Sequence, residues 1–277
     1  MIESDKLKVR LISSMVMILL FLVIVLVNNF FFVIFFNILL FLSNWESLRL
    51  FKYKSILENR GRNLSLSRCK LSSHDFTSII LISLFINYFQ TLNLFCNIFI
   101  FSCLILIILN FKKRNFYKLL SLIYVSSAFY FLIDLRDSFK FSDYLFFIVF
   151  FAMIVDISAY FVGKLIGGIK LATNISPKKT VSGSIGGIII PLIICIIIFG
   201  KNSSNYSNII FMSVILSIIA QIGDLIESSF KRYCQVKDSS NIIPGHGGIL
   251  DRIDSILSLI IFISIMKLFG YNFFFIV

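Results

Sequence analysis

What the chain lacks narrows its class first. Only 14% of its 277 residues are charged and 58% are hydrophobic, whereas a soluble domain is typically about a quarter charged and about half apolar. That shortage of charge excludes an ordinary water-soluble enzyme. No CxxC pair and no histidine cluster occurs. The five cysteines (Cys69, Cys96, Cys103, Cys195 and Cys234) are scattered and there are two histidines, which leaves no support for a disulfide framework or a zinc centre. A Walker A loop, GxxxxGK[ST], is absent. No small-residue cleavage site follows the apolar run from Leu11, so that run reads as an uncleaved span rather than a removed secretory signal. Convincing internal repeats and low-complexity linkers are missing too.

What is present is a series of long apolar runs, and about 20 such residues are needed to cross a bilayer as a helix. The runs predict an all-α, polytopic helical membrane protein of about nine transmembrane helices. They cover 11–27, 30–43, 76–90, 92–110, 118–133, 144–163, 184–200, 206–225 and 253–272. The formal charge of +12 invites a nucleic-acid reading, but topology explains it better, because Lys and Arg are retained in cytoplasmic loops. With the N-terminus cytoplasmic, 22 of the 26 basic residues fall on the inner side, and the loop 134–143 lies outside with Asp134, Asp137 and Asp143. We expect one integral membrane domain in two parts. Residues 1–143 hold the N-terminal spans and a basic loop, 44–75, resting on lipid headgroups. Residues 144–277 hold the C-terminal spans and the cytoplasmic loops 164–183 and 226–252.

Two polar passages collect the chemistry. The first, DISAYFVGKLIGGIKLATNISPKKTVSGSIGG at 156–187, combines glycines with Lys164, Lys170, Lys178 and Lys179. Glycine lets backbone N–H groups approach an anion, and lysine neutralises it, so the pairing suits phosphate. Asp156 lies inside a span, where a carboxylate needs a polar cavity or a partner; capping or pairing with Lys164 is the plain alternative. The second passage, QIGDLIESSFKRYCQVKDSSNIIPGHGGILDRIDS, covers 221–255. Asp224, Ser228 and Lys231 recur at i, i+4, i+7 and share one helix face. Asp251 and Asp254 open the last span after the turn PGHGG. If the helices bearing Asp224 and Asp251 adjoin, carboxylates meet cationic neighbours in a typical Mg²⁺ and phosphate environment. A transporter with an acidic ion path and a structural scaffold are the readings from other classes; neither explains the packaging of carboxylates with Lys-Arg, Lys-Asp and a glycine turn.

The run from Ser228-Ser229-Phe230-Lys231-Arg232 through Lys237-Asp238 to Pro244-Gly245-His246-Gly247-Gly248-Ile249-Leu250-Asp251-Arg252-Ile253-Asp254 resembles the signature of the phosphatidate cytidylyltransferases, also called CDP-diacylglycerol synthases. Ser176-Pro177-Lys178-Lys179-Thr180 with Gly183, Gly186 and Gly187 is similar to the same family, as is Asp156 with Ala159, Tyr160 and Gly163. The resemblance covers about residues 150–270. Two departures are visible: Gly168 stands where members often carry a basic residue, and Val181-Ser182 where they often carry Trp-Glu.

The resemblance implies transfer of the cytidylyl group of CTP to phosphatidic acid, giving CDP-diacylglycerol and pyrophosphate, with Mg²⁺ and room for a second cation. It implies catalytic roles for Asp224, Ser228, Lys231 and Asp251, with Asp224 and Asp251 as metal ligands. Lys178, Lys179 and Thr180 are assigned to the triphosphate. Lys237, Asp238, His246 and Arg252 join the substrate-binding set, where contact and loop scaffolding are not separable from sequence. Asp254 is expected to pair with a basic neighbour or cap the last helix more than to bind metal. The partners implied are CTP, phosphatidic acid and the bilayer, without nucleic acid, at the inner membrane with a cytoplasmic-facing site. Homodimer formation is left open. A lipid kinase using CTP, or a relative acting on an ether or isoprenoid lipid, remains the nearest rival.

Overall fold

The computed structural model describes residues 13, 15–16, 29–60, 66, 69–88, 115–136, 141–200 and 206–270. Seven helices are described in it: α1 (Asn29–Arg60), α2 (Ser73–Tyr88), α3 (Asn115–Arg136), α4 (Phe141–Ile166), α5 (Val181–Phe199), α6 (Tyr206–Tyr233) and α7 (Leu250–Leu268). Five of them, α1, α3, α4, α5 and α6, are long and apolar enough to cross a membrane. A multi-pass helical membrane protein follows. α2 and α7 occupy two further expected spans, whereas 11–27, all but three residues, and 92–110 lie outside the described residues.

The expectation of an all-α chain needs one correction. Strands β1 (Lys170–Ala172) and β2 (Ser176–Thr180) form an antiparallel hairpin, with Lys170 opposite Thr180 and Ala172 opposite Ser176. Between α4 and β1, Gly167 and Gly168 take φ values of 68° and 100°, a region open to glycine at little cost.

The chain divides into two compact units, Met1–Asp137 with Tyr233–Ile253, and Ser138–Arg232 with Asp254–Val277. In the first unit, α1 packs on α3 and α2. Ser47 Oγ lies 2.7 Å from Ser121 Oγ, and Asn44 Nδ2 donates to Ser126 Oγ at 3.3 Å. Small polar side chains of this kind join helices where lipid supplies no hydrophobic drive. Leu48, Ile79 and Leu122 form a core with Phe41, Trp45 and Leu71 against them.

This corrects the reading of 44–75 as a basic loop. Helix α1 runs on to Arg60, because Phe41, Trp45 and Leu48 continue the helical spacing of apolar positions. At 1.5 Å per residue its 32 residues span about 48 Å, more than the ~30 Å hydrocarbon core. The polar C-terminal part of α1 therefore extends beyond the core as helix. At the start of α2, Ser72 and Asp75 form a reciprocal cap: Ser72 N and Oγ donate to Asp75 Oδ2 at 3.1 and 2.6 Å, and Asp75 N donates to Ser72 Oγ at 3.4 Å. Burial alone would raise the Asp75 carboxyl, but the Ser72 bonds and the Lys118 ammonium at 3.1 Å outweigh it and hold it below the usual carboxylate range.

In the second unit, glycines bring α4 and α5 together. A Cβ on Gly183 would lie 2.6 Å from the Ala159 carbonyl, and one on Gly187 3.1 Å from the Ala159 Cβ. Gln221 of α6 ties to α5 through Ser184, donating from Nε2 to its carbonyl at 3.2 Å. Ser258 of α7 donates to the Ile219 carbonyl of α6 at 3.0 Å.

Candidate active site

Asp224 and Asp251 belong to different units, so each is built up in its own surroundings. In the second unit, α6 carries Asp224 and Ser228 one turn apart, and Ser228 Oγ donates to Asp224 Oδ1 at 3.2 Å. The hairpin brings Lys179 to the same carboxylate, with Nζ 2.5 Å from Oδ2. Lys178, its neighbour, points into the open and is exposed. Thr180 serves as the N-cap of α5, accepting from Gly183 N at 3.1 Å.

Lys231 does share the Asp224 face, yet its ammonium pairs with Glu227 one turn back. Both are nearly enclosed, at 8% and 4% exposure, so this is an interior ion pair. Arg232, beside it, donates from Nε to the Ile175 carbonyl at 3.0 Å and anchors the hairpin to α6. Asp254, half-buried in the first turns of α7, feels the charges of Asp224 and Asp156 and of Lys231. From sequence, Asp156 is expected to need a polar cavity or a partner, and Asp254 to pair with a basic neighbour or cap the last helix. Three carboxylates, Asp156, Asp224 and Asp254, share one electrostatic neighbourhood with Lys231, and Lys164 lies 5.9 Å from the ring centroid of Tyr160.

In the first unit, the signature turn is knitted from its own backbone. Ile243 N donates to the Gly247 carbonyl at 2.9 Å, and Gly247 N returns to Ile243 O at 3.2 Å. Gly247 sits at φ 92°, and a Cβ there would come 2.7 Å from Asp251 Oδ2. Only a glycine fits the conformation and the close approach together. Asp251 Oδ2 accepts from Gly248 N at 2.8 Å and from Ser239 N and Oγ at 2.9 and 3.1 Å. Arg252 donates twice, from Nε and NH2, to the His246 carbonyl at 3.1 and 2.7 Å. His246 Nδ1 lies 2.7 Å from Ser13 Oγ. Scaffolding by Arg252 is thus visible, while Lys237 and Asp238 stand exposed.

Two residues were missed. Glu227 answers Lys231. Glu46 is fully enclosed, and it accepts four hydrogen bonds from Ser239, Ser240, Ile249 and Leu250. The available signal was a polar run, Ser43-Asn44 and Glu46-Ser47, set within an unbroken helical apolar pattern. Among the described residues no group of three His, Cys, Asp or Glu stands ready to ligate a metal. The donor chemistry nonetheless suits a hard cation, since the carboxylates around Asp224 offer only oxygen.

Phosphatidate cytidylyltransferase of Bacillus subtilis (strain 168) is 43% identical over 141 residues, 50% of this chain and 52% of the relative. The protein of that name from Staphylococcus haemolyticus (strain JCSC1435) is 42% identical over 151 residues, 53% of this chain and 57% of the relative. That of Staphylococcus aureus (strain COL) is 40% identical over the same length and shares. The chain spans about half the length of the curated relatives it matches. The family model for cytidylyltransferases reaches further and matches residues 8–269. With nearly the whole chain covered by that match, the protein belongs to the cytidylyltransferase family.

Proposed function

We propose that the protein transfers the cytidylyl group of CTP to phosphatidic acid at the bilayer surface, releasing pyrophosphate and leaving CDP-diacylglycerol. The observation that carries this reading is the gathering of Asp156, Asp224 and Asp254 with Lys179 and Lys231 in one unit. Such a set handles phosphate charge and offers no nucleophile–base pair. None is required. A phosphomonoester, with a second pKa around 6, is already largely dianionic at neutral pH. One of its oxygens attacks the α-phosphorus of CTP, and the bond from that phosphorus to the bridging oxygen breaks as pyrophosphate departs. The demand on the protein is to hold anions together and stabilise the leaving charge.

Lys179 and the exposed Lys178 are assigned to the triphosphate. Ser228 holds Asp224 in place, and Lys231 supplies positive potential from within its pair with Glu227. We assign Mg²⁺ to Asp224 and its carboxylate neighbours; Asp251, in its own unit, is proposed as a further ligand. The cation's contribution, when bound, is to neutralise phosphate charge. Thr180 and Arg252 act in this reading by shaping the loops, and the exposed Lys237 and Asp238, with His246, border the substrate. The Lys/Arg bias supports an inner-membrane protein of about nine spans, with the N-terminus and the loops 164–183 and 226–252 cytoplasmic.

The test is incubation of purified protein with CTP, Mg²⁺ and phosphatidic acid. CDP-lipid with one pyrophosphate per turnover is expected. CDP with a phosphorylated lipid would replace the reading by a lipid kinase, and no nucleotide turnover would refute both.

A further inference from the structure

We propose that Glu46 is a positioning residue for cytidylyl transfer: its carboxylate fixes the signature turn and, through Ser239, the carboxylate of Asp251. The inference rests on the function proposed above. An enclosed carboxylate is costly unless its oxygens are satisfied, and here each accepts two hydrogen bonds. Oε1 takes Ser240 Oγ at 2.5 Å and Ile249 N at 3.0 Å; Oε2 takes Ser239 Oγ and Leu250 N, both at 2.9 Å. Ile249 and Leu250 lead into α7, where the first N–H groups have no intrahelical partner and carry partial positive charge.

Ser239 joins the two carboxylates. Its Oγ lies 2.9 Å from Glu46 Oε2 and 3.1 Å from Asp251 Oδ2. A hydroxyl has one proton, so it donates to one carboxylate at a time, while Ser239 N donates to Asp251 at 2.9 Å throughout. Gly248 completes the arrangement. Its N–H donates to Asp251 Oδ2, while a Cβ on it would lie 2.7 Å from each Glu46 oxygen. The turn is therefore built around Glu46 on one side and Asp251 on the other. Moving Glu46 moves the residues that aim Asp251 and that carry His246 and Arg252. A displacement of about 1 Å is enough to cost a reaction about a hundredfold.

The test uses the full chain in nanodiscs, with Glu46→Gln and Ser239→Ala singly and together. Glutamine keeps the volume but has one acceptor oxygen, so an N–H of Ile249 or Leu250 must face a donor. Two quantities are read: hydrogen exchange at the amides of residues 248–250, and kcat and KM per folded molecule. We expect faster exchange in Glu46→Gln, and a fall in kcat of about 10- to 100-fold, the range seen for partners that orient ligands. Either KM should move less than about threefold, since Glu46 itself contacts no substrate and the groups that do keep their chemistry. The double variant should be no worse than Glu46→Gln, because the two residues act through one tie. Unchanged kcat beside faster exchange would make Glu46 a brace without a role in the reaction, and unchanged exchange would remove the tie itself. If Glu46→Gln fails to fold, Ser239→Ala decides, since it leaves Glu46 its two backbone bonds; unchanged kcat there overturns the proposal. A wild-type protein that forms no CDP-lipid counts against the function, while the exchange measurement still reports whether Glu46 holds the turn.

Discussion

Separating Lys178 from Lys179 tests whether the hairpin places one cation at the reaction and leaves its neighbour outside. The two residues are adjacent and chemically identical, so sequence treats them as a pair. Strand β2 does not: Lys179 Nζ meets Asp224 Oδ2 at 2.5 Å, with 24% of each side chain exposed, and Lys178 is solvent-facing. Exposed ion pairs contribute about 0.2–1 kcal/mol, while removing one partner of a buried pair costs about 3–5 kcal/mol. A partly enclosed pair falls between, at about 1–3 kcal/mol. If that loss is felt in the transition state, Lys179→Ala should lower kcat/KM for CTP by about 5- to 150-fold. Lys178→Ala should lower it by less than about fivefold, as befits a rim charge. The assay is initial-rate cytidylyl transfer at saturating phosphatidate with CTP varied, then the reverse. Equal losses for the two lysines would refute the difference in weight drawn between them, and equal effects on both substrates would refute the triphosphate assignment and make β2 a structural element.

Three further outcomes are expected. Asp251→Asn keeps the shape but removes the charge that accepts from Ser239 and Gly248; kcat should fall at least about a hundredfold with normal membrane insertion, and near-wild-type activity at ordinary Mg²⁺ would refute its role as a ligand. Asp75 is held below its ordinary pKa when folded, so its stabilisation is complete above the unfolded value and fades as pH falls through the lower folded one. Wild type should therefore exceed Asp75→Asn by about 1 kcal/mol at pH 7, and thermal unfolding near pH 3 should show the gap narrowing. Cys234 is enclosed, and burial pushes its thiol up to about 12; maleimide at pH 8 should leave it unlabelled until the protein is unfolded, as peptide mapping would show.

The C-terminal half was legible because its signals are local. Apolar run lengths placed α4 and α5 nearly to their ends and the start of α6, which runs on from the expected end at residue 225 to Tyr233, and the i, i+4 spacing put Ser228 against Asp224. Lys231 shares that spacing but not that partner, because Glu227 sits at i−4 to it and closer than Asp224 at i−7. The hairpin was not foreseen since three- and five-residue strands rich in Lys carry no alternating apolar pattern. Glu46 was placed in a loop because charge was read as an exit from the membrane. Its role depends on Ser239, Ser240 and the start of α7, and nothing in a short window of sequence joins position 46 to position 250.

That separation sets an order of assembly. Glu46 and Leu250 are 204 residues apart along the chain. At about 5–20 residues per second of synthesis, roughly 10 to 40 seconds pass between their emergence from the ribosome. For most of that interval the α1 carboxylate exists without any of the four donors that later surround it, the first of which, Ser239, lies 193 residues further on. The part of the first unit that holds Glu46 is completed by a segment made about 200 residues later. Closure of the turn around Glu46 therefore follows synthesis of α1 and joins segments far apart in the chain. A nascent protein halted before residue 239 would carry Glu46 in α1 without the four donors of the folded chain, and enclosing a carboxylate without partners is costly.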